Sequence, residues 1–202
     1  MIKLYYRSNT RASRPRWVLE ELGLPYELVR IEDKSANAPG SSYLKVHPHG
    51  TVPAMADGDL VMHESAAICA YLADRYPDRK LAPGYDSPDR AIYYQWLFYG
   101  MTTVEPELMK VFMNTVRLPE ANRSKAVLEE ATKAFHATAE VLSAALKDKD
   151  FLLGTQFTAA DIVVGSMMGW AGFMGLTKDY PVLTKYVERL SQRPGYQRSK
   201  AD

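Results

Sequence analysis

The chain has 202 residues, 47% hydrophobic and 24% charged, an ordinary globular composition long enough for one large or two modest domains. A formal net charge of +1 argues against a dedicated nucleic-acid binder, whose domain carries a basic footprint. The single cysteine, Cys69, excludes an intramolecular disulfide and a C-x-x-C redox pair, which points to a reducing cytosol. No signal peptide is read. The uncharged stretch 162–177 is shorter than the roughly 20 apolar residues of a membrane span and reads as a buried helix running into a loop. Lys3, Arg7, Arg11, Arg14 and Arg16 all precede the first acid, Glu20, and read equally as a solvated basic face or as a field for an anionic ligand.

Ile2 to Tyr6 reads as a buried strand, with Tyr5 and Tyr6 as packing aromatics. Helix one follows: Ser13 can cap it, Pro15 is tolerated in its first turn, Trp17, Val18 and Leu22 form its inner face, and Gly23 with Pro25 ends it. Tyr26 to Ile31 is a second strand, parallel to the first because a crossover helix joins them. Residues 32–45 are polar and irregular, with room for a short helix. A hairpin over Val52 to Met62, turning at Asp57-Gly58-Asp59, precedes a helix from Ser65 to Arg75. The order βαβ then ββα is the thioredoxin-like arrangement.

Tyr76-Pro77 closes this first unit, 1–78, and residues 79–87 read as a linker. Everything in 88–202 looks helical. Ser87-Pro88-Asp89 starts a long helix that runs toward Asn114, with Pro106 as its expected kink. A second spans about 121–147. Thr158-Ala159-Ala160-Asp161 is a capping-box variant before an apolar helix over 162–170, and Pro181 opens a last helix to about Arg193. The fold class is thus α/β in the first part and all-α in the second.

The most informative stretch is Val46-His47-Pro48-His49-Gly50-Thr51-Val52-Pro53, followed by Glu64-Ser65-Ala66-Ala67-Ile68. Proline within a strand-like run removes a ladder donor, so Pro53 belongs on an edge or in a deliberate cis bend. The Val52 N–H and C=O are then free to pair with an extended peptide. Ser65 stands at a helix N-terminus, where backbone N–H groups hold a carboxylate, and Glu64 adds a negative charge for an ammonium.

These two motifs resemble those of the cytosolic glutathione transferases, bacterial theta- and beta-like members in particular, and the resemblance runs over essentially the whole chain. It implies glutathione as co-substrate, bound by Lys34, Val52, Pro53, Glu64 and Ser65. It also implies a homodimer, a cytoplasmic enzyme of detoxification, and a small apolar electrophile as second substrate. Two positions depart from the pattern: His47 stands where Asn is usual, and Thr51 where a Lys is common.

Such an enzyme holds the glutathione sulfur as thiolate. A free thiol has a pKa of about 8.5, and lowering it by two units takes roughly 2.7 kcal/mol. One hydroxyl donor to an anion supplies about 1.5 to 3 kcal/mol, so a single Ser or Thr suffices. In the theta-like register the catalytic position falls on Thr10, the first choice. A gapless overlay on beta-type members puts Arg11 there, and Ser13 is the third candidate, unless capping uses up its hydroxyl.

The electrophile pocket is expected from Met101, Val104, Met109 and Phe112, with Trp170 as a further candidate, although plain core packing accounts for any one of them. His47, His49 and His63 flank the binding strand without a metal-ligand pattern, so no metal is expected. Cys69 reads as a small buried thiol. The same scaffold also serves isomerases, peroxidases and non-catalytic binding or assembly modules, which the intact glutathione motifs only partly separate.

Overall fold

The computed structural model describes residues 1–32, 37–38 and 40–201. Lys34 lies outside the described residues. The chain folds as two compact units, Met1–Ala82 with Gln192–Asp202, and Pro83–Ser191.

The first unit is built on a four-stranded sheet of order β2-β1-β3-β4, from β1 (Ile2–Tyr6), β2 (Tyr26–Arg30), β3 (Ala54–Asp57) and β4 (Leu60–His63). β1 pairs parallel with β2 and antiparallel with β3, and β3 pairs antiparallel with β4. In this register Leu4 faces Leu28 on one side and Met55 on the other. Leu4 and Met55 are both fully buried, which locks the register by burial on one face. The hairpin turns through Gly58 at φ +62, a left-handed conformation that glycine adopts without Cβ strain.

Helices α1 (Ser13–Leu22) and α2 (Ser65–Arg75) pack on each other and on the sheet, burying Val18, Leu19, Leu22, Ile68 and Leu72. Gly23 ends α1 in the left-handed region, and Leu24 returns its N–H to the Leu19 carbonyl.

The N-cap of α1 is Ala12, not Ser13, whose side chain was expected to cap the helix. The helix is led in by turns in which Ser13 N–H meets the Thr10 carbonyl and Arg14 N–H the Arg11 carbonyl. Ser13 is therefore already the first helical residue.

The second unit comprises α3 (Asp89–Tyr99), α4 (Glu105–Phe112), α5 (Lys125–Ala145), α6 (Ala159–Phe173) and α7 (Pro181–Ser191). The long helix expected from Asp89 toward Asn114 is present as α3 and α4. Its irregularities are π-helical turns at Gly100–Val104 and Met113–Arg117 rather than a kink made by Pro106 alone. Pro106 stands in the first turn of α4, where its missing N–H falls directly after the wider turn. At Gly100 the absent side chain brings the backbone against Val163, Val164 and Met167 of α6. Thr158 and Asp161 form a complete capping box at the start of α6.

The sequence reading ends the last helix near Arg193 and leaves 192–202 in the helical part. In the structure α7 stops at Ser191, and a short helix α8 (Pro194–Ser199) packs on α1. Three contacts account for this. Arg193 grips Glu21 with two hydrogen bonds of 2.9 and 2.8 Å, Arg198 reaches Glu20 at 2.8 Å, and Trp17 meets the Tyr196 ring edge-on. Arg16 also donates to the Ala201 carbonyl.

Candidate glutathione site

The Val52–Pro53 peptide bond is cis, at the entry to β3. Neither Val52 N–H nor its carbonyl has a hydrogen-bond partner among the described residues. The Val52 side chain packs on Tyr43 and Ala54 together with Tyr5, Ile31 and Val46, so the segment is anchored through its side chain while its backbone stays free. Tyr43 adds a second anchor by donating its hydroxyl to the Thr51 carbonyl at 2.7 Å. Burial pushes the Tyr43 phenol up to about 12, which keeps it a neutral donor.

One strand away, β4 ends at His63 and α2 begins at Ser65. Between them Glu64 takes φ +72 and ψ 109, a left-handed backbone that costs a non-glycine residue roughly 1 to 3 kcal/mol. Its side chain is exposed, whereas Ser65 is buried.

Ser65 is met from α1. Arg14 is buried, and its Nη1 donates to Ser65 Oγ at 3.2 Å. A guanidinium therefore stands where the α2 N–H groups converge, and both favour an anion. Sequence reasoning counted Arg14 among the early basic residues and missed this contact, since α1 and α2 are far apart in the chain. Cys69, one turn further on, is fully buried, and burial pushes its thiol up to about 12 despite the pull of Arg14.

Of the three catalytic candidates, Thr10 and Arg11 lie in the loop between β1 and α1, and Ser13 opens α1. Thr10 Oγ1 donates to the Arg7 carbonyl at 2.6 Å and accepts Ala12 N–H at 3.3 Å, which closes the loop on itself. Ser13 is half-buried, and its hydroxyl has no partner among the described residues. Arg11 is exposed.

Of the expected electrophile pocket, Met101, Met109 and Phe112 are partly exposed, and the Phe112 ring meets Trp170 edge-on with centroids 5.4 Å apart. Val104, also assigned to that pocket, is fully buried in the π-helical turn and offers no open surface. Among the described residues no group of three or more His, Cys, Asp or Glu side chains could hold a metal ion, and no helix is long and apolar enough to cross a membrane.

Comparison with known proteins decides the family. Residues 6–80 match the family model of the glutathione S-transferase N-terminal domain, and residues 93–194 match that of the C-terminal domain. The chain belongs to the glutathione S-transferase family. It is 31% identical to glutathione S-transferase GstB of Escherichia coli (strain K12), over 96% of this chain and 95% of that one. It is 32% identical to glutathione S-transferase Z2 of Arabidopsis thaliana, over 97% and 89% of the two chains. A sphingomonad glutathione S-transferase solved in complex with glutathione superposes with a TM-score of 0.85 at 27% identity, covering 98% of this chain and 96% of that one. This family member therefore joins a thioredoxin-like domain to a helical one, and it is an enzyme with glutathione as co-substrate.

Proposed function

We propose that this transferase binds glutathione along Val52 and at the start of α2, and activates its sulfur from the loop between β1 and α1 for attack on a small apolar electrophile. The observation that carries this reading is the free backbone of Val52 beside the Glu64–Ser65–Arg14 corner. The Val52 N–H and carbonyl would pair with the cysteinyl unit of the peptide. Ser65, the α2 N-terminus and Arg14 would hold the γ-glutamyl carboxylate, with Glu64 facing its ammonium. Pro53 shapes the edge and Lys34 adds a cation.

Thr10 is the first choice as donor to the thiolate. Its hydroxyl, which now donates to the Arg7 carbonyl, would turn to donate to the sulfur when an anion arrives. Ser13 gives a second reading, favoured by its uncommitted hydroxyl, and Arg11 a third, by charge alone. Rate would come from the thiolate and from holding both reactants together.

Within the helical unit, Met101, Met109 and Phe112 offer the partly exposed apolar surface an electrophile needs. A homodimer is supported by Ile92, Tyr94 and Phe98, large apolar side chains exposed on α3. A cytoplasmic detoxifying role follows from the family resemblance, and the glutathione-binding domain would be 1–78 together with 192–202, with 79–87 as a linker and the helical domain ending at Ser191. The test is a glutathione titration that follows thiolate absorbance against pH. A bound thiol ionising well below about 8.5 supports the reading, and an unshifted thiol overturns it.

A further inference from the structure

We infer that His47 is a positioning residue for glutathione: in its neutral form it holds the turn that presents the Val52 backbone, and protonation releases that turn. The inference rests on the proposed docking of glutathione along Val52.

His47 is buried and ties the turn through four bonds. Its N–H donates to the Tyr43 carbonyl and its carbonyl accepts from Gly50 N–H, both at 2.9 Å. Its ring Nδ1 accepts His49 N–H at 3.2 Å, and Nε2 lies 2.9 Å from Thr51 Oγ1. Because Nδ1 accepts, the ring proton belongs on Nε2 and is donated to Thr51. A neutral imidazole, with one lone pair and one N–H, satisfies both partners. An imidazolium would turn a second N–H against the His49 N–H and break the turn that leads into Val52.

The surroundings set the direction of the effect. The His63 ring lies 4.7 Å from His47 between centroids, with His49 at 6.1 Å and Tyr43 at 6.4 Å. Glu64 is the acid that opposes them. Burial first, and then His63 and His49, hold His47 below the ordinary histidine range, while Glu64 pulls it back. The two departures from the family pattern thus meet in one hydrogen bond, between His47 and Thr51.

Glutathione itself does not titrate in this window. Its carboxylates ionise at roughly 3.5 or below and its thiol near 8.5. S-methylglutathione removes the thiol altogether, and it is the probe of choice. Calorimetric titration of the full chain from pH 7.5 to 5 is expected to show affinity falling by up to about tenfold per pH unit once His47 titrates, the slope of one proton. His47→Asn supplies the same acceptor and donor without a charge, and its affinity is expected to stay flat.

A flat wild-type profile overturns the inference, as does a His47→Asn profile that keeps the wild-type slope, which would assign the proton to His49 or His63. Should His47→Asn not fold, NMR titration of the wild-type imidazole decides. Saturating S-methylglutathione is expected to push its ionisation to lower pH by linkage, and no displacement overturns the inference. Glu64→Gln and Ser65→Ala separate the levels. If both leave binding at pH 7.5 unchanged, the glutathione site itself is misplaced and the inference falls with it. If both weaken binding while the wild-type profile is flat, only the role of His47 falls.

Discussion

Arg14 of α1 and Ser65 of α2, distant in sequence, meet as a buried pair, with the guanidinium Nη1 donating to the serine Oγ at 3.2 Å. A guanidinium donating at the first residue of α2 adds to the positive end of that helix, and both favour an anion. Arg14→Ala is expected to raise the KM for glutathione by about ten- to a hundredfold, the worth of one charge-assisted bond of about 1.5 to 3 kcal/mol, with a smaller change in kcat. Steady-state kinetics at saturating electrophile checks this. An unchanged KM would remove Arg14 from the site.

The donor to the thiolate is separable by single substitutions. Thr10→Ala is expected to lower kcat/KM by about ten- to a hundredfold and to return the bound thiol toward about 8.5, leaving glutathione affinity nearly intact. Thr10→Ser should keep most of the activity. If Ser13→Ala produces the loss instead, the Thr10 bond to the Arg7 carbonyl is a loop closure only, and the free Ser13 hydroxyl is the donor.

Asp161 gives a pH prediction for folding. Its carboxylate is fully buried and takes bonds from Leu152 N–H, Thr158 N–H, Thr158 Oγ1 and the Tyr186 hydroxyl. Burial nevertheless raises it from 3.8 to about 6. A carboxyl that binds its proton more tightly folded than unfolded stabilises the fold at low pH and loses that contribution as pH rises, here between about 4 and 6. The loss amounts to at most about 3 kcal/mol for two pH units. Denaturant melts across that window should show it, and Asp161→Asn should lack it. Asp161→Ala should cost more at every pH, about 3 kcal/mol or above, because it strands several buried donors.

The contact of α8 with α1 depends on one missing side chain. A Cβ on Gly195 would come within 2.6 Å of the Glu21 carboxyl carbon, and that carboxylate is already gripped by Arg193 and by Trp17 Nε1. Gly195→Ala is expected to destabilise the protein by about 1 to 3 kcal/mol. Gly84→Ala, where a Cβ meets nothing within 4 Å, should be neutral or slightly stabilising by thermal melting. Equal stability of the two variants would contradict the packing.

What could be read from the residues depended on how local the cause was. The β1–α1–β2 crossover, the Asp57-Gly58-Asp59 hairpin, Val52-Pro53 and the Thr158–Asp161 box are encoded within a few neighbouring positions, so periodicity and turn chemistry reveal them. The start of α1 at Ser13 with Ala12 as cap was missed because Thr10 closes the preceding loop through its side chain, which no propensity reports. The π-helical turn at Gly100–Val104 was missed because Pro106 offered a simpler reason for a bend. Arg14–Ser65, His47–Thr51 and the docking of α8 rest on side-chain contacts that periodicity does not carry. For α8 the Arg193-Pro194-Gly195 start reads as a chain breaker, and only the acids on α1 make it a helix worth forming.

The placement of α8 has a consequence for how the chain is made. Because 192–202 completes the unit begun by 1–82, the helical unit is inserted in sequence between two parts of the other and leaves the ribosome before that other unit is finished. A chain ending at Ser191 would strip the Tyr196 ring from Trp17 and leave Glu20 and Glu21 without Arg198 and Arg193. Limited proteolysis of a chain ending at Ser191 is expected to cut within 1–82 while sparing 83–191.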